Sequence, residues 1–285
     1  MSCGERRRAA TESIGGIWVG DSISHVSARQ HVHVAVAGSH CGRIAIGFAA
    51  RAGVSSVLLH CAGVGKDGAG IGGLAVAEQV GLAAGAVDHF SARIGSGNDV
   101  YCHGVLGYVN SSALELGVRP GMTVREAAGL MVLGQSRVQG AGVSQRSGIP
   151  QARRVPAHNY GGRVVLADSA SLIVASDVRH VVITGSHGGI VKERTIPEIA
   201  GGLVFNDAGL GKAASGISRL KLLEAWHVPA VTVAYWSARI GDAQDTLDHG
   251  IISFCNESAG RLGVLPGMTC RDAVFRLLRK RAADY

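Results

Sequence analysis

Short apolar runs alternate along the chain with amphipathic segments and glycine-rich turns. In the second half, the apolar runs predict three strands, at 180–184, 202–206 and 230–236. The spacing of apolar positions predicts helices over 215–226, with Ser215 as the N-cap, and over 245–262. In the first half, the corresponding runs predict strands at 32–37, 55–61 and 86–92. Strands that alternate with helices across short turns are typical of parallel pairing with right-handed crossovers, so the pattern predicts an α/β fold.

The two halves of the chain repeat each other at an offset of 146 to 147 residues. Between 62–128 and 208–274, 30 of 67 ungapped positions are identical. A period this long differs from the roughly 20–50 residues of a solenoid unit. We therefore infer an internal tandem duplication of a Rossmann-like, doubly wound parallel-sheet unit. Two such units predict a pseudo-twofold, two-lobed protein.

The repeat divides the chain into five predicted segments. They are a flexible N-terminal tail at 1–20, a first α/β repeat at 21–130, a connecting arm or lid at 131–167, a second α/β repeat at 168–277 and a C-terminal tail at 278–285. The arm is rich in Gly, Arg, Gln and Ser. A connection this long inside a compact protein is usually functional or mobile.

Several polar residues match between the halves, and nearly all of them follow a predicted strand or open a predicted helix. The pairs are Ser39 and Ser186, His40 and His187, Lys66 and Lys212, Ser91 and Ser237, Arg93 and Arg239, Asp99 and Asp245, His103 and His249, and Asn110 and Asn256. Open α/β sheets bind ligands at the carboxyl ends of their strands. The sequence therefore predicts a ligand cleft at or between the strand ends of the two lobes.

The second half is predicted to carry the chemistry, because it has a carboxylate where the first half has a cysteine. The candidate catalytic residues are Ser186, His187, Lys212, Asp207, Asp245 and His249. Ser186 is the candidate nucleophile or oxyanion donor, and Lys212 or His249 is the candidate base. Asp245 stands four residues before His249 on one helical face, where its carboxylate can orient the imidazole.

The candidate substrate-binding residues come from both halves. They are Ser39, His40, Lys66, Arg93, Arg239, Ser237, Gly188 and Gly189. The guanidinium groups suit a carboxylate, and the two glycine N–H groups suit an oxyanion hole or an anion nest. Structural roles stay open for all of them, such as a serine that bonds its own turn or an arginine in a salt bridge. Cys41 or Cys61 is the rival nucleophile.

Composition and sequence patterns disfavour nucleic-acid binding, a membrane span and secretion. The chain has 285 residues and a net charge of +7, but its aromatic content of 5% and the lack of a long basic, aromatic-rich run disfavour nucleic-acid binding. It has no apolar run of about 18 residues, which disfavours a membrane span. The N-terminus has no apolar signal region and the six cysteines have no CxxC spacing, which predicts reduced thiols in a cytoplasmic protein.

Cofactor motifs are also absent from the sequence. The stretch Ala-Gly-x-Gly-Lys lacks the first glycine and the Ser/Thr of a phosphate-binding P-loop. The dinucleotide-binding pattern G-x-G-x-x-G and the usual metal-ligand spacings are missing too. We therefore predict that the protein needs no cofactor and no metal.

Together these features predict an enzyme of small-molecule metabolism. The leading hypothesis is a hydrolase of amide or other C–N bonds, or a lyase, acting on a small anionic or amide-bearing metabolite with Ser/Lys/His chemistry. One alternative is an isomerase or racemase with opposed bases from the two repeats. Another is a non-catalytic small-molecule binding or sensor protein. The sequence leaves open whether copies of the chain form a homo-oligomer.

Overall fold

The computed structural model describes residues 12–14, 16–27, 32–138, 150–157, 160–192 and 201–279. The chain divides into two compact α/β units, each built on one six-stranded mixed sheet. The first unit comprises Met1–Cys61, Ile71–Gln151 and Val191–Glu193, and the second comprises Ala62–Gly70, Ala152–Ile190 and Arg194–Tyr285. The glycine-rich segment Ala62–Gly70 thus belongs to the second unit, although its neighbours in sequence belong to the first.

The sheet of the first unit is parallel at its centre and antiparallel at both edges. Its strands are β1 (Glu12–Ile14), β2 (Ile17–Gly20), β3 (Val34–His40), β4 (Ser56–His60), β5 (Ala83–Val87) and β6 (Leu106–Val109). Its helices are α1 (Arg43–Arg51), α2 (Gly73–Gln79), α3 (Gly97–His103), α4 (Ser111–Glu115) and α5 (Val124–Val138). Strands β2 to β5 pair in parallel, while β1 and β6 pair antiparallel with their neighbours.

The second unit has the same strand order and the same pairing directions. Its strands are β7 (Arg154–Pro156), β8 (Val164–Ala167), β9 (Val181–His187), β10 (Gly202–Asn206), β11 (Ala230–Val233) and β12 (Ile252–Cys255). Its helices are α6 (Ser218–Ala225), α7 (Ala243–His249), α8 (Glu257–Arg261) and α9 (Cys270–Arg279). Strands β8 to β11 are parallel, and the edge strands β7 and β12 are antiparallel.

Helices cover both faces of each sheet. In β3, Ala35 and Ala37 pack against α1 and α2, whereas Val34 and Val36 pack with α3 and α5. This division follows from the alternation of side chains along a strand. Strands that are buried on both faces carry nearly continuous apolar runs, which is why the sequence reveals the central strands so clearly.

The α/β class predicted from the sequence is confirmed, but the strand order differs from a doubly wound sheet. A doubly wound sheet reverses its strand order at a switch point. Among the described strands, the order follows the sequence from β1 to β6 and from β7 to β12. The reason in the first unit is that α1 and α2 pack on one face. Right-handed crossovers on one face advance the sheet in one direction.

Both units begin earlier than the predicted repeats. Strand β2 lies in the predicted N-terminal tail, and β8 lies in the predicted arm at 131–167. Each pairs in parallel with the next strand and completes the sheet. At the other end, α9 runs to Arg279, into the predicted C-terminal tail. The remaining parts of the tails and the arm, at 1–11, 15, 139–149, 158–159 and 280–285, lie outside the described residues.

Two predicted helices of the second half are also corrected. Residues 245–262 form helix α7, strand β12 and helix α8 in place of one helix. A Cβ on Gly250 would lie 2.4 Å from Thr246 O, so glycine closes α7 and lets the chain turn into β12. The helix predicted at 215–226 begins at Ser218, because Lys212–Ile217 forms a 3-10 helix that contains Ser215.

The matching residues Asn110 and Asn256 have the same structural role, because each caps a short helix. Asn256 caps α8: its Oδ1 accepts from Ala259 N and Ala230 N, and its Nδ2 donates to Val228 O, at 2.8–3.0 Å. Asn110 makes the same three bonds at α4. We expect Asn256→Ala to lower the free energy of unfolding by about 2 kcal/mol, because buried backbone groups lose their partners.

Urea unfolding monitored by circular dichroism measures this change. Asn110→Ala should give a similar loss, while Ser111→Ala, at an exposed neighbouring position, should change stability little. Equal stability of the Asn256→Ala variant and the unaltered protein would contradict the capping role.

Candidate functional site

A strained, glycine-rich turn precedes both Lys66 and Lys212. From 62 to 65, φ is 49°, 69°, 66° and 70°, and from 208 to 211 it is 51°, 71°, 62° and 63°. Glycine adopts these angles freely, but Val64 and its counterpart Leu210 do not. A non-glycine residue in this region costs about 1–3 kcal/mol and persists only where its surroundings hold it.

Contacts with Tyr235, two residues after β11, hold the first of these turns. The Lys66 N–H donates to Tyr235 O at 2.9 Å. A Cβ on Gly65 would lie 2.9 Å from the same oxygen, and one on Gly63 would lie 3.1 Å from Gly209 Cα. Both positions therefore require glycine for close approach, and the turn brings Lys66 to the carboxyl end of β11.

Asp245, in the first turn of α7, is the centre of a charged cluster. Its side chain is 1% exposed. The Lys66 Nζ lies 3.1 Å from each carboxylate oxygen of Asp245. Arg239 donates from its backbone N–H at 2.7 Å and approaches from its guanidinium at 2.9 Å. Because a buried carboxylate needs charged or hydrogen-bonding partners, this cluster accounts for its burial.

The surroundings of Asp245 favour its ionised form. Burial raises the pKa of Asp245, but the Arg239 N–H and the charges of Lys66 and Arg239 outweigh burial, so the pKa lies below its ordinary value. The Asp245 carboxylate is therefore ionised near neutral pH, where it pairs with Lys66 and Arg239.

His249 completes the cluster at the C-terminal end of α7. Its Nδ1 lies 2.9 Å from Asp245 Oδ1, and its side chain is 60% exposed. The i, i+4 pairing expected from the sequence is thus present. The contact with a buried carboxylate therefore orients an exposed imidazole.

Arg239 is occupied by carboxylates of its own unit. Its guanidinium contacts Asp67 at 3.1 Å, Asp242 at 3.4 Å and Asp245 at 2.9 Å. The predicted role as a clamp for a substrate carboxylate is therefore weakened, because three protein carboxylates already use this cation.

The Gly-Ser-His stretch at the end of β9 has structural partners. The Ser186 hydroxyl accepts from Ala170 N at 2.8 Å, which holds a 3-10 turn. The Gly188 N–H donates to Asn206 O at 2.9 Å, and the Gly189 N–H donates to His187 Nδ1 at 3.1 Å. The predicted oxyanion hole is not available in this arrangement, since both glycine donors are already used.

Two further candidates also stabilise turns. The Ser237 hydroxyl donates to Ala234 O at 2.7 Å and accepts from Ile251 N at 3.0 Å. Asp207 accepts from Gly209 N and Tyr235 N at 2.9–3.0 Å, and burial raises its pKa above the ordinary value. Lys212 begins the 3-10 helix Lys212–Ile217 and is half-buried, so its role as a base stays a prediction.

The matching residues of the first unit form a different arrangement. Arg93 donates to Asp99 from its backbone and its guanidinium, both at 2.7 Å. In the described part of the chain, no hydrogen bond joins His103 to Asp99. The Ser39 hydroxyl accepts from Ile23 N at 3.0 Å, as Ser186 does from Ala170 N. Of these two matching positions, the His–Asp contact is therefore described in the second unit.

Histidines at the strand ends of the first unit are buried and neutral. Burial, with a smaller effect of His60, lowers the pKa of His40 to about 4. The His60 Nε2 lies 3.0 Å from Ala92 O. Asn206, at the matching position, donates to Ala238 O at 3.1 Å. His60 and Asn206 thus serve the same structural purpose, although the sequence comparison presents them as a divergence.

The rival cysteine nucleophiles are deeply buried. Burial raises the pKa of Cys41 to about 12, which opposes thiolate chemistry. Cys61 is also buried, with its Sγ 3.7 Å from His89 Nδ1. Cys102 is disulfide-bonded, which differs from the expectation of six reduced thiols.

Comparison with protein-family models, curated proteins and solved structures gives no match to this chain. Among the described residues, none of the helices has the length and apolar character needed to cross a membrane. Within the same residues, no three His, Cys, Asp or Glu side chains are grouped as ligands for a metal ion. The site is therefore interpreted from its own geometry.

Sequence reasoning missed two groups that border the cluster. Asp67 and Asp242 contact Arg239, and neither has a matching acid in the other half to draw attention to it. Trp236 is 61% exposed, and Phe90 at the matching position is 68% exposed. A search for matching aromatic residues beside the Ser-Ala-Arg motif, in place of polar ones alone, would have found this pair.

The cluster predicts a large stability difference between two neighbouring carboxylates. Asp245→Asn should lower the free energy of unfolding by about 2 kcal/mol, because Lys66 and Arg239 lose a buried charged acceptor. Asp67→Asn is the matched control: this exposed carboxylate also contacts Arg239, and its removal should cost less than about 1 kcal/mol. Urea unfolding near pH 7 compares them, and equal losses would contradict the central role of Asp245.

The same cluster predicts how stability depends on pH. Because the folded-state pKa of Asp245 is depressed, its contribution is present above the ordinary value of 3.8 and is lost as pH falls through the folded-state pKa. The stability difference between the unaltered protein and Asp245→Asn should therefore shrink as the pH falls below about pH 4. A difference that stays unchanged down to about pH 2 would contradict this sign.

Proposed function

We propose that this chain is a hydrolase of small amide-bearing metabolites and that His249, oriented by Asp245, transfers the proton. The observation that carries the proposal is the 2.9 Å contact between the exposed His249 imidazole and the buried Asp245 carboxylate. A carboxylate that holds one ring nitrogen orients the imidazole, and the exposure of the side chain leaves it accessible to a substrate.

The proposed reaction uses His249 first as a base and then as an acid. Its Nε2 accepts a proton from water while the water oxygen attacks the amide carbonyl carbon. The C–N bond then breaks, and the same proton passes to the leaving nitrogen. Asp245 stays ionised and stabilises the imidazolium formed between the two steps. Ser186 is not needed as a nucleophile in this scheme.

Lys66 is the proposed donor to the developing oxyanion. An ammonium has three N–H donors, and two of them are directed at the oxygens of Asp245. Among the described residues, no further acceptor contacts Lys66 Nζ, so the third donor is left for a substrate oxygen. This assignment keeps Lys66 in the substrate-binding set predicted from the sequence.

The charge balance favours an amide over an anion as the substrate. The cations Lys66 and Arg239 stand beside three carboxylates, those of Asp67, Asp242 and Asp245. A cluster with this balance offers no surplus positive charge to a substrate carboxylate. We therefore choose the amide-bearing substrate from the two classes that the sequence left open.

We further propose that the two units arose by tandem duplication and that only the second keeps the acid–base pair. Matching strand order and pairing directions support this origin, together with the identities between the halves. The racemase alternative needs an equivalent base in each unit, and the absence of a described His103–Asp99 bond makes it the weaker candidate. The cytoplasmic location and the homo-oligomer stay predictions.

Turnover with matched histidine variants tests the proposal. A panel of linear and cyclic amides is incubated with the protein, and amine or ammonia release is measured. His249→Gln should lower kcat/KM by about 100-fold or more, because general acid–base catalysis is lost. His103→Gln, at the matching position of the first unit, should leave kcat/KM within about twofold.

Three results would contradict the hydrolase assignment. These are unchanged turnover in His249→Gln, an equal loss in His103→Gln, and amides that raise the melting temperature without being consumed. The last result would favour the binding or sensor protein.

A further inference from the structure

An exposed tryptophan stands beside the acid–base pair and has no role in the reaction described above. Trp236 is 61% exposed, and Phe90, its counterpart in the first unit, is 68% exposed. A single exposed apolar residue is ordinary. A large aromatic ring exposed at the same position of both halves, three residues after β11 and after β5, is a repeated feature of the fold.

Backbone contacts join the turn that carries Trp236 to the residue Lys66 and to the chain that follows His249. On one side, the preceding residue, Tyr235, accepts from Lys66 N at 2.9 Å. On the other side, Ser237 Oγ accepts from Ile251 N at 3.0 Å, and Ala234 N donates to Ile251 O at 2.8 Å. Since Ile251 follows His249 by two residues, the turn that carries Trp236 is attached to the end of α7.

The chemistry around this turn selects the kind of ligand. The neighbouring ions offer no surplus positive charge, as described above, so they favour a neutral molecule over an anion. The exposed indole offers a flat apolar face, on which a planar ring stacks at low entropic cost. Lys66 offers an N–H donor, and His249 offers a ring acceptor. A neutral planar ring with amide C=O and N–H groups matches all four features.

We propose that Trp236 is the stacking platform for a planar cyclic amide, whose ring lies on the indole while its amide faces His249. This inference rests on the proposed function, because it names the substrate class of the same site. It adds a specificity residue, Trp236, that contacts the substrate ring and takes no part in proton transfer.

A matched pair of probes tests planarity alone. Uracil is a flat cyclic amide, and dihydrouracil carries the same C=O and N–H groups on a puckered ring. The protein is labelled with 5-fluorotryptophan, which gives one fluorine signal each for Trp18, Trp226 and Trp236, and Trp236→Phe assigns the last. Uracil should shift the Trp236 signal and leave the buried Trp18 signal unchanged. Dihydrouracil should bind at least about fivefold more weakly.

Variants at the two matching aromatic positions provide the control. Trp236→Leu should raise the Kd for uracil about tenfold, because a stacking partner is lost. Trp236→Phe keeps a flat ring and should stay within about threefold of the unaltered protein. Phe90→Leu should leave the Kd unchanged. The Kd values come from ligand-observed NMR titrations.

The inference is overturned by any of three results. These are no movement of the Trp236 signal up to the solubility limit of uracil, equal binding of uracil and dihydrouracil, and equal loss in Phe90→Leu. Failure of the proposed function is a separate outcome. In that case His249→Gln leaves the turnover of the amide panel unchanged, while the Trp236 signal still reports binding of the planar probe.

Discussion

The buried carboxylate of Asp245 is the constraint on which the site depends. An ionised carboxylate with 1% exposure is costly unless cations and N–H donors surround it. Lys66, Arg239 and His249 are the groups that satisfy it, and each is delivered by a different element: the turn after β4, the turn after β11 and the end of α7. These three elements therefore meet at one side chain, whose burial depends on the contacts that they make with it.

The glycine-rich turn at 62–65 relates the burial of Asp245 to particular residues of the sequence. Lys66 contacts Asp245 from the end of a turn in which all of residues 62–65 have left-handed angles, including Val64 at φ 66°. Glycine at 63 and 65 lets the backbone approach Gly209 and Tyr235, where a Cβ would be crowded. The cost of strain at Val64 is offset by the contacts that follow from it. The glycines that make the Ala-Gly-x-Gly-Lys stretch resemble part of a phosphate-binding loop are thus accounted for by close backbone contacts and left-handed angles.

The sequence predicted the fold class well because the central strands are buried on both faces. Their apolar runs stand out, as in β3 and β10. The edge elements were harder to predict. Strand β12 is short and half-exposed, so the sequence predicted one helix across α7, β12 and α8. The pairing of β12 with β11, which marks it as a strand, is a tertiary contact. Strands β2 and β8 were missed because they precede the predicted repeats, which begin at residues 21 and 168.

The candidate site was predictable only where a local rule applied. The four-residue spacing of Asp245 and His249 is a property of one helix, so their contact followed from sequence. The partnership of Lys66 with Asp245 joins residues 179 positions apart, and no spacing rule gives it. The contacts of Arg239 with three carboxylates also depend on tertiary structure, so spacing in the sequence does not predict them.

Identity between the two halves turns out to mark structure more often than chemistry. Ser39 and Ser186 accept from matching 3-10 turns, and Asn110 and Asn256 cap matching helices, so their retention needs no substrate. The informative residues are those with the same identity but different partners. His249 is bonded to a carboxylate four residues before it, whereas described contacts give His103 no such bond to Asp99. A shared backbone requirement accounts for a residue that is identical in both halves, and a difference in partners, as between His249 and His103, is what led us to propose separate roles for the two units.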